Sequence, residues 1–237
     1  MARGDRLIRA APDATEFITF SALLISETGP TQQTLTAAEA TPSACLHRPA
    51  AERARHGRKA ASAAGAVSYV LGYLVVYVTQ SGRVEEGLSG INVFADLFGG
   101  DTISVWRGVG WVFYNAHFVD VDVPSLVGAA RSVNFISQRD GGFAYLYVVP
   151  PLLLVVAGVA IARAAGARTP ADGTQSGALA ATGYFPLAVI GAFLFRYAVG
   201  DGGSVALTLV TAALLAGLVY PAVFGAVGGA AAGATAE

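Results

Sequence analysis

Residues 204–227, SVALTLVTAALLAGLVYPAVFGAV, run without a single Asp, Glu, Lys or Arg. At ~1.5 Å rise per residue, roughly 20 helical residues cross the ~30 Å hydrocarbon core of a bilayer, so this stretch is long enough to span it. Three others read the same way: Ala60–Thr79, Phe143–Ala162 and Ala178–Phe195. A backbone in hydrocarbon must satisfy its hydrogen bonds internally, and a helix does so within one segment. The pattern predicts an all-α membrane protein with four transmembrane helices.

Composition agrees. The chain has 237 residues, 54% of them hydrophobic and 13% charged, with a mean hydropathy of +0.55, whereas soluble domains carry about 25% charged residues. A net charge of −1 offers no concentrated basic surface for a nucleic acid, so no nucleic-acid partner is expected. One cysteine, Cys45, excludes an intrachain disulfide framework and a multi-cysteine zinc site.

Residues 1–59 differ from the rest: rich in Ala, Thr, Arg and Pro, without a sustained period, and with one apolar run, Phe17–Ile25, too short to span. Arg3, Arg6 and Arg9 resemble the start of a signal peptide, but Asp13 and Glu16 intervene and no clear cleavage site follows. This region reads as a disordered extension or an over-extended gene start. The membrane domain is placed at 60–229, and 230–237 is a short tail. Arg53, Arg55, Arg58 and Lys59 precede the first span, and Arg163 and Arg168 follow the second. Basic residues stay in the cytoplasm, which predicts both termini cytoplasmic and the 80–142 loop extracellular in a cell membrane.

That loop is too long to be structureless. Ile91, Phe94, Ala95 and Phe98 follow helical spacing, and a second helix, Val105–Ala116, carries Trp106, Trp111, Phe113 and Tyr114. Its rings and its Arg107 predict a helix lying at the membrane interface. From His117 the period becomes two: Val119, Val121 and Val123 alternate with Asp120 and Asp122, and Val133 and Phe135 with Ser132 and Asn134, which predicts a β-hairpin. The expected lid is therefore a small extracellular α+β unit of two short helices and a hairpin between helices 1 and 2.

Within the spans, Pro150, Pro151, Pro186 and Pro221 predict kinks, because proline lacks the backbone donor and clashes with the carbonyl four residues earlier. Gly65 and Gly72 lie on a small-residue stripe, and Gly225 and Gly229 form G-x-x-x-G. Both patterns predict helix–helix contact faces. Tyr69, Tyr73 and Tyr77 recur on one stripe of the first helix. No span contains an ionisable Asp, Glu, Lys, Arg or His, the group that proton relays and cation sites need. Arg196 and Asp201 flank the third span's end and are expected to pair there, or Arg196 to meet an acid of the lid. Asp120 and Asp122 share a strand face and are the only weak candidates for a metal, with His117 on the opposite parity; calcium wants six to eight oxygens. No nucleophile elbow, phosphate loop or zinc-protease motif occurs. Neither a catalytic nor a cofactor-binding residue, nor any cofactor, is assigned.

Leu97-Phe98-Gly99-Gly100-Asp101, the run Gly110-Trp111-Val112-Phe113-Tyr114-Asn115-Ala116-His117-Phe118, and Gly217-Leu218-Val219-Tyr220-Pro221-Ala222-Val223-Phe224-Gly225 resemble an uncharacterised family of haloarchaeal multi-pass membrane proteins. The resemblance covers 60–229 and implies a salt-loving archaeon and a cell membrane; it carries over no functional residues. Fourteen arginines against one lysine, and seven arginines against ten acids from Ala60 onward, are compatible with a GC-rich, salt-adapted source. The expected role is a non-enzymatic structural or accessory membrane component, with the bilayer and possible copies of itself as partners and no small-molecule substrate named. The alternative is a small oligomeric transporter or channel subunit.

Overall fold

The computed structural model describes residues 50–97, 101–124, 131–138, 143–199 and 203–236. The extension up to residue 49, and Asp201 with its expected Arg196 pairing, lie outside these described residues. Helix α1, Ala50–Leu97, is 48 residues long, about 72 Å at 1.5 Å per residue. The expected break between the first span and a lid helix near Ile91 is absent, because one helix carries through both. Gly82, Gly87 and Gly90 do not interrupt it. A helical glycine costs only ~1 kcal/mol, and Val84 and Leu88, one turn apart, hold this stretch against the next helix at Gly108.

That next helix, α2, is Val105–Asn115. A short 3-10 turn, Ala144–Tyr147, leads into α3, Val149–Ala165. The chain then reverses through Gly166, whose φ of 69° ends α3 in the left-handed conformation that glycine adopts without strain. Thr169 caps α4, Pro170–Ala178: its hydroxyl oxygen accepts from the Asp172 amide at 3.1 Å, with Pro170 in the first turn. Helix α5, Ala181–Leu194, follows with one turn between. The third apolar rod thus begins at Pro170, earlier than the Ala178 expected from hydropathy. The last rod, α6, is Leu209–Ala234, so it includes most of the residues read as a tail.

Four rods are long and apolar enough to cross a membrane: Arg55–Val93, Ala144–Ala165, Pro170–Leu194 and Leu209–Ala234. Their surfaces are inverted relative to a soluble bundle. Leu152, Val156, Ile190 and Leu214 are more than half exposed, whereas Ala157, Gly158, Ala188 and Ala216 are buried. Small residues on inner faces let backbones meet. A Cβ at Gly158 would overlap the Gly225 carbonyl, one at Gly173 the Gly229 carbonyl, and one at Gly228 the Val155 carbonyl. Helices α3, α4 and α6 therefore touch backbone to backbone. Gly65 meets the Ala180 carbonyl in the same way, and a Cβ at Gly72 would stand 3.0 Å from the Phe113 ring.

The prolines have distinct places. Pro150 and Pro151 lie in the first turn of α3, where no intrahelical donor is missing. Pro186 lies inside α5. Pro221 follows a π-helical stretch, Ala212–Val219, in which the Tyr220 amide bonds the Leu215 carbonyl. The wider turn accommodates a proline ring that would press on the carbonyl four residues back.

At the end away from Gly166, a four-stranded antiparallel sheet in the order β2-β1-β4-β3 joins the two connections. Strands β1, Val121–Val123, and β2, Arg131–Val133, form the expected hairpin, with Val121 opposite Val133. Strands β3, Tyr197–Val199, and β4, Gly203–Leu207, form a second. Val121 also pairs with Leu207. Residues 204–207, read as the start of a span, are therefore strand. All described residues belong to one compact unit, Arg48–Glu237.

Gly225→Leu places a side chain where the Gly177 backbone lies, and overpacking of this kind costs about 1–3 kcal/mol or more. Purified Gly225→Leu should unfold at a clearly lower temperature than the wild type. Val227→Leu, on an exposed position, should change stability by less than ~0.5 kcal/mol.

Candidate functional site

The interface helix expected at Val105–Ala116 is instead an interior element: every residue from Gly108 to Asn115 is buried. Its glycines make this possible. Gly110 lies against the Phe195 ring with no room for a Cβ, and Gly108 meets Val84 and Leu88. Phe113 stands edge-on to Tyr69 and Tyr73 of α1, at 5.1 and 6.1 Å between ring centres. Such edge-to-face pairs are favourable because a ring's edge is positive and its face negative.

Burying α2 also buries its polar groups, and each of the following finds a partner. The Trp111 indole N–H donates to the Phe195 carbonyl at 2.8 Å. The Tyr114 hydroxyl donates to the Ala188 carbonyl, so the Tyr69 hydroxyl, 3.2 Å away, donates to Tyr114. Tyr73 donates to the Trp106 carbonyl at 3.0 Å. Tyr69 and Tyr73 of the expected tyrosine stripe are thus part of the surface on which α2 docks, whereas Tyr77 is exposed. Asn115 ties the following turn, donating to the Val119 carbonyl and accepting from the Phe135 amide, both at 2.8 Å.

His117 ends α2's descent and is fully buried. The Phe113 carbonyl, 2.9 Å from Nδ1, can only accept, so Nδ1 carries the proton. Nε2 then accepts from the Tyr184 hydroxyl at 2.6 Å. Phe113, Tyr184 and Tyr220 surround the imidazole. Burial among them pushes its pKa from 6.5 down to about 4. Burial likewise pushes the Tyr114 phenol up. Both groups are neutral at pH 7.

His117 does not join Asp120 and Asp122. The Asp122 carboxylate accepts from Ser132 at 2.6 Å and from Thr208 at 2.8 Å, which pins β1 to β2 and to the start of α6. Asp120 accepts from Asn134 at 3.4 Å. Among the described residues no three metal-ligating side chains come together.

Hydropathy also did not reveal an apolar pocket of about 200 Å³ between α1, α2 and the sheet. Leu88, Trp111, Val112, Phe135 and Val205 line it, and among the described residues Arg83 is its one charged lining residue. The Arg83 guanidinium lies 5.2 Å above the Phe143 ring. Val84, Leu88 and Ile91, at helical spacing, were the available signal in the sequence, of which only Ile91 was read as part of a helix.

The fold defines a class: four membrane-length apolar helices whose connections at one end combine a sheet with a buried aromatic helix. The chain belongs to a family of unknown function (DUF7978), whose profile matches residues 43–236. No curated protein and no solved structure matches it.

The lowered pKa of His117 sets a pH dependence. An unfolded histidine takes up a proton below about pH 6.5 while the folded one stays neutral to about pH 4, so the unfolded state binds more protons in that window and stability falls as pH drops through it. The loss at pH 4.5 relative to pH 7.5 should be roughly 2–3 kcal/mol. Thermal unfolding of wild type and His117→Gln at both pH values measures it, with the wild type losing more. Tyr184→Phe leaves Nε2 unpaired and should cost about 1–3 kcal/mol at pH 7.5.

Proposed function

We propose that this protein is a non-enzymatic integral membrane component in which the helix-and-sheet end forms an external lid and both termini face the cytoplasm. Its role is to present that lid, as an accessory or structural part of the membrane, rather than to conduct a solute. The observation that carries this reading is α2. Its buried Phe113 and Tyr114, with His117 in the turn that follows, occupy the interior between α1, α5 and α6, where a path would have to run. The glycine contacts among α3, α4 and α6 support it, since backbones in contact leave no lumen between them. Large exposed apolar side chains on all four rods support insertion, and the basic residues around Lys59 and Arg163 support the orientation.

One observation favours the second reading, a small oligomeric transporter or channel subunit. The π-helical stretch ahead of Pro221 packs its Gly217 against α5, with Phe185 and Ala188 at 3.1 and 3.3 Å from where a Cβ would stand, beside Pro186. Irregular turns of this kind recur at functional sites.

Two measurements test the proposal. In intact cells, a membrane-impermeant thiol reagent should label Ala198→Cys in a Cys45→Ala background and should reach Gln175→Cys only after lysis; the reverse pattern would invert the orientation. Vesicles containing the purified protein should conduct KCl no faster than protein-free vesicles. A protein-dependent conductance altered by Pro186→Ala would establish the second reading.

A further inference from the structure

The pocket beside α1 has a chemistry of its own. Its walls come from four separate elements: Leu88 on α1, Trp111 and Val112 on α2, Val205 on β4 and Phe135 after β2. Nearly everything the walls present is apolar. A dry apolar cavity of ~150 Å³ takes up a benzene-sized molecule, so about 200 Å³ has room for a short hydrocarbon segment and not for two chains side by side.

The charge at the pocket is equally specific. Arg83 is exposed, and its cation rests on the Phe143 ring at the pocket. Among the described residues no carboxylate lies within ion-pair distance of it. Glu85 and Glu86 follow on the same helix but do not line the pocket. A guanidinium offers parallel N–H donors matched to a planar carboxylate. An apolar cleft with one cation fits a molecule with a hydrocarbon tail and an anionic head.

We propose that this pocket binds a single-chain anionic amphiphile of the fatty-carboxylate class, its tail against Trp111 and Val205 and its head on Arg83. The site goes beyond the structural role given above and stands apart from the question of conduction. Each methylene buried in the pocket contributes roughly fourfold in affinity, so affinity rises with chain length until the cavity is filled and then levels off.

Trp111 makes the site directly observable, because a bromine atom touching an indole quenches its fluorescence. The full chain carrying Trp106→Phe, which leaves Trp111 as the sole tryptophan, is placed in nanodiscs of unbrominated zwitterionic lipid at pH 8 and titrated with 11-bromoundecanoate. Saturable quenching is expected, weakened roughly ten- to hundredfold by Arg83→Gln, in line with the loss of a charge-assisted hydrogen bond. The uncharged 11-bromoundecanol should bind wild type no better than the acid binds Arg83→Gln. Arg83 is on the surface, so its variant is expected to fold normally. Quenching that grows linearly without saturation, or that Arg83→Gln leaves unchanged, would overturn the proposal. So would equal quenching of wild type and Arg83→Gln by a two-chain brominated phospholipid, which would make the pocket a patch of ordinary lipid contact.

Discussion

The docking of α2 against α1 is the constraint on which the sheet end of this protein depends. An 11-residue helix bearing tryptophan, tyrosine and asparagine, with His117 just beyond its end, is stable in the interior when these side chains find polar partners there. Tyr69 and Tyr73 bond to it from one side and Ala188 and Phe195 from the other, while Tyr184 holds His117 just past its end. Leaving a buried donor or acceptor unpaired costs ~1–3 kcal/mol, so this set of bonds fixes α2's depth and rotation. The sheet follows from that placement. The turn after His117 brings Val121 alongside Leu207 at the end of β4, and Asp122 then locks two neighbours with its two oxygens.

The two ends of the bundle cohere by different chemistry. Around α3, α4 and α6, glycines bring backbones together and the gain comes from close contact of many atoms. Around α2, large rings fill a wider space and hydroxyls bond carbonyls. A single continuous helix, α1, serves both. Gly65 receives the Ala180 carbonyl, Gly72 receives the Phe113 ring, and the stretch beyond carries the pocket wall with Arg83.

Much of this was legible in the sequence, for identifiable reasons. A run such as Phe143–Ala162 has no polar residue that would make a water-facing helix, so hydropathy locates the rods. The alternation from Val119 to Val123 locates β1. Other features depend on partners distant along the chain. Ser204–Leu207 is as apolar as the helix after it and becomes strand because β1 and β3 lie alongside. Helix α1 reaches Leu97 because Gly108 packs on Val84 and Leu88, a contact that local propensity does not contain. His117 was visible as a histidine, but Tyr184, 67 residues away, was not visible as its partner.

The central claim, that α2 is an interior helix rather than one lying on a membrane surface, is tested most directly by thiol reactivity in a Cys45→Ala background. Ala116, at the end of α2, is fully buried, and Asp120, four residues on, is exposed. A water-soluble thiol reagent should label Asp120→Cys rapidly in the folded protein and leave Ala116→Cys unmodified until denaturant is added. Labelling of Ala116→Cys at a rate close to that of Asp120→Cys, in protein that unfolds at the wild-type temperature, would contradict the account.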